Sequence, residues 1–154
     1  MIQQWHSKRT NGGVTVTNST DGKNGSVKGR ILFLDDNEDT CELLDLVLSQ
    51  AGYEIVIGRS IAEGLQLIKG KPFDMILLDW YFTDGTGIEL CQTIRESDGQ
   101  TPIFFYTGMA QEQYIRSGLQ AGAQGFFIKP VDMDTLLQTI SFQIDSQEQI
   151  NKPH

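Results

Sequence analysis

The sequence predicts an α/β domain, a doubly wound parallel sheet built from five βα units, and three observations predict it. Short apolar runs rich in Ile, Leu and Phe alternate with longer stretches of helical periodicity from Arg30 onward. The runs are continuous rather than alternating, which is the pattern of strands covered by helices on both faces. Four of them also end in polar groups. Asp35-Asp36 follows Ile31-Leu32-Phe33-Leu34, and Asp79 follows Met75-Ile76-Leu77-Leu78. Thr107 follows Ile103-Phe104-Phe105-Tyr106, and Lys129-Pro130 follows Phe126-Phe127-Ile128. In an open parallel sheet the C-terminal strand ends face one crevice, and ligands bind there.

Each element has a local reason. The first strand falls near 31–35 and leads to a helix over about 39–51, closed by Gly52 as a C-cap, with Leu43, Leu44, Val47 and Leu48 as its apolar stripe. The second strand is Glu54-Ile55-Val56-Ile57. Ser60 with Glu63 three residues on forms a capping-box pattern, and the helix it opens stops before Gly70 and Pro72. The third strand is 74–78, followed by the loop 83–87 and a helix near 87–97. The fourth strand is 102–106 with a helix over about 111–120, and the fifth is 125–128 with a last helix over about 133–147.

Residues 1–29 read differently. Asn11-Gly12, Asp21-Gly22 and Asn24-Gly25 are turn dipeptides, and Val14-Thr15-Val16-Thr17 alternates like a strand with little apolar surface near it. The expected organisation is a flexible extension over 1–29, a domain over 30–146 and a tail over 147–154. Length suits one domain and not two.

Charge and composition narrow the function. The chain carries a net charge of −8, while residues 1–30 hold Lys8, Arg9, Lys23, Lys28 and Arg30 against Asp21 alone, so the domain itself is strongly acidic. An acidic body argues against binding nucleic acid, whose phosphates need clustered Lys and Arg. Cys41 and Cys91 lack metal-ligand or redox spacing and read as ordinary helical thiols of a reducing compartment. No run approaches membrane-spanning length and the first residues hold no apolar leader, so a soluble cytoplasmic protein is expected.

The crevice groups point to one chemistry. Two carboxylates about 5 Å apart repel by roughly 3 kcal/mol at an effective dielectric near 20. Asp35, Asp36 and Asp79 together therefore call for a cation, and hard oxygen donors favour Mg²⁺. Lys129 offers a mobile point charge and Thr107 a hydroxyl, both suited to phosphoryl oxygens. Asp79 stands alone at its strand end and is the candidate nucleophile, forming an aspartyl phosphate.

This ordered set resembles the receiver domain of two-component response regulators. The resemblance rests on Asp35-Asp36, the segment from Asp79 to Gly87, Thr107-Gly108, Ala121-Gly122-Ala123 and Gly125-Phe126-Phe127-Ile128-Lys129-Pro130. It implies a flavodoxin-like sheet of five parallel strands in the order 2-1-3-4-5, and a cis Lys129-Pro130 bond. Asp36 would then ligate Mg²⁺ directly and Asp35 through water, with Asp79 and the Tyr81 backbone carbonyl completing the set. Asp79 would accept a phosphoryl group from a histidine kinase or a histidine phosphotransfer protein. Thr107 and Lys129 would bind its oxygens, and Phe126 would be the aromatic switch that moves with Thr107. By the same resemblance Tyr81 and Met109 would flank the path of hydrolytic water. Two departures stand out: Thr83 replaces the usual proline after the acceptor, and Phe82 the usual Met.

No effector domain follows the receiver-like segment in this sequence, so the expected output is contact with a downstream protein. The face formed by the fourth helix, fifth strand and fifth helix is the expected dimer surface. On the last helix Met133, Leu136, Leu137, Ile140 and Ile144 form an apolar stripe, and Phe142 falls opposite it. Other readings fit less well. A haloacid-dehalogenase-like hydrolase needs Asp-x-Asp before Gly-Thr, and position 82 is Phe. A flavin-binding protein needs a hydroxyl-rich phosphate loop where Asp35-Asp36 stands. A receiver fold acting without phosphorylation is the serious alternative. The protein is not expected to be a turnover enzyme.

Overall fold

In chain order the elements are β1 (Ser7–Arg9), β2 (Thr15–Thr17), β3 (Arg30–Leu34), α1 (Glu38–Gln50), β4 (Glu54–Gly58), α2 (Ile61–Leu67), β5 (Met75–Leu78), β6 (Tyr81–Phe82), β7 (Gly85–Thr86), α3 (Gly87–Ser97), β8 (Ile103–Thr107), α4 (Glu112–Gln120), β9 (Gly125–Ile128) and α5 (Met133–Ile150). The computed structural model describes residues 7–9, 15–17 and 26–153. The main sheet runs β1-β2-β4-β3-β5-β8-β9. Its parallel part, β4-β3-β5-β8-β9, is the doubly wound order expected, with β3 central between β4 and β5.

Alternation along these strands divides the core into two layers. Ile31, Phe33, Ile55, Ile57, Met75 and Leu77 face α1 and α5, packing on Leu44, Leu48, Leu136, Ile140 and Ile144. Leu32, Leu34, Val56, Ile76, Leu78 and Phe105 face the opposite way, onto Leu90, Cys91 and Ile94 of α3. Because both faces are covered, the strands are apolar between their first residues and their ends. That is why the crevice residues sit where the apolar runs stop.

Caps fix where the helices begin and end. Asn37, Ser60 and Asp132 accept the backbone N–H three residues on, opening α1, α2 and α5. Gly52 closes α1 at φ 100°, with its N–H on Ser49 O and the Tyr53 N–H on Leu48 O, a paired closure that needs the left-handed conformation. The Lys129-Pro130 bond is cis.

Three local readings are corrected. Leu43 belongs to no apolar stripe: it is 44% exposed, and the buried face of α1 is Cys41, Leu44 and Leu48. A step of about 100° carries Leu43 past the edge of the face that Leu44 centres. α5 continues to Ile150, since Gln147, Glu148 and Gln149 are helix formers and the Asn151 N–H still reaches Gln147 O. Within the stretch read as a flexible extension, β2 instead lies antiparallel on β4, pairing Thr15 with Ile57 and Val16 with Val56, and β1 pairs with β2. An unpaired edge strand offers its own backbone groups as partners, so the alternating segment needed no apolar cover of its own. Residues 1–6, 10–14 and 18–25, with all three turn dipeptides, lie outside the described residues.

Candidate functional site

β3 and β5 end side by side and bring the acidic groups together. Asp79 N–H donates to Leu34 O and Asp35 N–H to Gly58 O, so both acids leave the sheet at one level. Asp35, Asp36 and Asp79 each present a carboxylate oxygen within 4.8 Å of the others. Their settings differ. Asp35 is fully buried, Asp79 is partly buried and Asp36 is exposed. Asp35 Oδ1 accepts from the Asn37 N–H at 2.9 Å, and Asp79 Oδ1 from the Trp80 N–H at 2.7 Å.

Lys129 arrives from the end of β9. Its Nζ lies 2.9 Å from Asp35 Oδ2 and 3.5 Å from Asp79 Oδ2. Burial alone would lower the ammonium pKa, but the Asp35 and Asp79 carboxylates outweigh it and hold the pKa above its ordinary value. Burial and the charge of Asp35 raise the Asp79 carboxyl, against the pull of the Trp80 N–H and Lys129. Like-charge repulsion inside the cluster is thus only partly relieved by lysine. Three hard oxygen donors of one sign, one of them wholly buried, are a donor set that fits a divalent cation.

Thr107 ends β8 at 1% exposure, with Oγ1 accepting from the Met109 N–H at 3.2 Å. Phe126 stacks on Phe105 at 5.2 Å and lies nearly parallel to Trp80 at 6.5 Å. A side chain at Gly118 of α4 would collide with this ring. All the groups expected at the crevice therefore sit at the same end of the sheet. Tyr81 stands on the β6–β7 hairpin, 52% exposed, and the nearby Tyr114 hydroxyl on α4 raises its pKa.

The structure adds partners that local patterns do not announce. Asp84, at the turn of the β6–β7 hairpin, accepts the Ile61 and Ala62 N–H groups at 3.0 and 3.1 Å, across the start of α2. Those bonds hold its carboxyl below the usual range. The loop is anchored this way, without the proline that Thr83 replaces. Gly87 is equally constrained, because any Cβ there would strike the Asp79 carbonyl oxygen. Tyr114 stands edge-on to Trp80 at 5.1 Å and 88°. The only signal for Asp84 was its Asp-Gly turn dipeptide, and Tyr114 carried none.

Comparison with known proteins agrees with this geometry. Residues 31–141 match the family model of the response regulator receiver domain. Response regulator protein PilR of Pseudomonas aeruginosa is 32% identical over 112 residues, 73% of this chain and 25% of that protein. Response regulator ArlR of Staphylococcus saprophyticus is 30% identical over 122 residues, 79% of this chain and 55% of that one. Among solved structures, a CheY-like receiver domain protein from Methanospirillum hungatei has a TM-score of 0.76 at 30% identity, covering 79% of this chain and 98% of that one. The HemR receiver domain from Leptospira biflexa has a TM-score of 0.71 at 30% identity, covering 81% and 98%. The chain spans about a quarter to about half the length of these two curated relatives. With the fold, the strand-end acids and the family model in agreement, the chain belongs to the response-regulator receiver domains of two-component signalling systems.

Proposed function

We propose that Asp79 accepts a phosphoryl group from the phosphohistidine of a histidine kinase or a histidine phosphotransfer protein. One observation carries this reading: Asp35, Asp36 and Asp79 converge within 4.8 Å, beside the Lys129 ammonium. An Asp79 carboxylate oxygen forms the new bond to phosphorus as the phosphorus–nitrogen bond breaks, and the electron pair leaves on the imidazole nitrogen. Asp35, Asp36, Asp79 and the Tyr81 carbonyl would hold Mg²⁺, which when bound supplies positive charge to the carboxylates and to the phosphoryl oxygens.

Within the chain, Trp80 N–H fixes one Asp79 oxygen and Lys129 lies against the other. Lys129 shifts from carboxylate to phosphoryl oxygen as charge builds there. Thr107 exchanges its Met109 contact for a phosphoryl oxygen, and the Phe126 ring, packed on Phe105 and Gly118, reports that movement to α4. The output is protein–protein contact through the α4, β9 and α5 face, with a downstream partner or a second copy. No helix among the described residues is long and apolar enough to cross a membrane, and the acidic body disfavours nucleic acid.

The test is incubation with acetyl phosphate and Mg²⁺ followed by intact mass measurement. Wild type gains one phosphoryl group, while Asp79→Asn gains none and keeps its circular dichroism spectrum. Stoichiometric labelling of Asp79→Asn would overturn the assignment.

A further inference from the structure

Lys129 is held from a third direction. Besides its two carboxylate contacts, the ammonium lies 5.2 Å from the centroid of the Tyr106 ring. That is within the distance at which the negative face of a ring attracts a cation. The ring is itself packed in the core: it is 3% exposed and stands edge-on to Phe33 at 5.6 Å and 87°. It also sits immediately before Thr107 on β8, so its position is set by the strand that carries the phosphoryl-binding hydroxyl.

The three contacts differ in what they do when Asp79 reacts. Each carboxylate takes up an N–H donor of the ammonium and draws it back toward itself. A ring face attracts the whole charge without a directional acceptor atom, so it leaves donors free. Lysine is otherwise a flexible point charge on a four-carbon stem, poorly placed by its own geometry. We propose that Tyr106 is a positioning residue, whose ring holds the Lys129 ammonium above Asp79 while leaving its N–H donors for the phosphoryl oxygens. The proposal rests on the reading of Asp79 given above.

The experiment measures the rate of phosphorylation by acetyl phosphate with Mg²⁺ in the full chain. Tyr106→Phe keeps the ring and matches wild type. A pentafluorinated phenylalanine at the same position keeps the outline but reverses the sign of the face, and slows the reaction about five- to tenfold. Tyr106→Leu, checked for folding by urea denaturation, slows it similarly. In a Lys129→Ala background, with the residual rate read over prolonged incubation, exchanging the ring makes no difference. Equal rates for the two rings, or a fluorination effect that persists without Lys129, would overturn the contact while leaving the Asp79 reading intact. Failure of wild type to take up any phosphoryl group would remove both together.

Discussion

By the receiver resemblance Tyr81 and Met109 flank the path of water toward a phosphoryl group on Asp79, and we expect them to set how long it survives. Hydrolysis needs a water aligned opposite the Asp79–phosphorus bond and a polar group to orient it. Met109 offers a thioether packed among apolar neighbours, and the nearby Tyr114 hydroxyl raises the pKa of Tyr81. We infer that neither side chain activates water there and that the bulky Tyr81 ring shields the phosphoryl group. We therefore expect a long-lived aspartyl phosphate. The double substitution Tyr81→Asn/Met109→Glu should speed loss of the phosphoryl group by at least about tenfold, within the range that a placed acid or base contributes. Decay of label after removal of phosphodonor measures this, and equal decay in both proteins would refute the shielding role.

Among the elements, the β6–β7 hairpin is tied to α2 through Asp84. Asp84→Asn should loosen the hairpin and lower stability at neutral pH. The sign of its pH dependence follows from the lowered carboxyl. A carboxyl depressed in the folded state stabilises above its unfolded pKa of about 4, and loses that contribution as pH falls through the folded value. Urea midpoints of wild type and Asp84→Asn should therefore differ at pH 7 and converge toward pH 2. A constant gap would show that the two backbone bonds do not depend on the charge. On α5, Leu136, Ile140 and Ile144 are buried while Phe142 is 67% exposed. Phe142→Ala should leave phosphorylation unchanged and weaken association through the α4, β9 and α5 face, as read by sedimentation. Unaltered association in both phosphorylation states would remove Phe142 from that surface.

For the whole molecule, the two thiols report on the two layers of the core. Cys41 lies in the layer under α1 and α5, and Cys91 in the layer under α3. Burial, then the nearby charge of Asp35, pushes the Cys41 thiol up to about 12, and burial raises that of Cys91. Neither thiol should react with a thiolate-directed reagent in the native protein at pH 8. Both should become reactive together when the sheet opens, because one sheet supports both layers. The raised values also fix a direction. Thiols that stay protonated only in the folded state cost stability as pH rises above the unfolded value of about 8.5. Rapid labelling of one cysteine alone would show that its layer opens independently.

The five βα units and the ends of their strands were legible in the sequence. Hydrophobic period is a local property, and a buried parallel strand can end only where polarity begins, so Asp35, Asp36, Asp79, Thr107 and Lys129 were legible as one crevice. Capping residues were legible for the same local reason, as with Ser60 and Gly52. Tertiary structure decided which of the acids is buried, and that Lys129 pairs more closely with Asp35 than with Asp79. It also decided that Asp84 caps a helix that begins more than twenty residues earlier, that the Tyr106 ring faces Lys129, and that β2 lies on the edge of β4. The exposure of Leu43 belongs with these, because a helix's buried arc is set by the sheet it packs on. Each depends on distances between groups far apart in the chain. Periodicity specifies the face a residue occupies, whereas the partner across that face is chosen by packing.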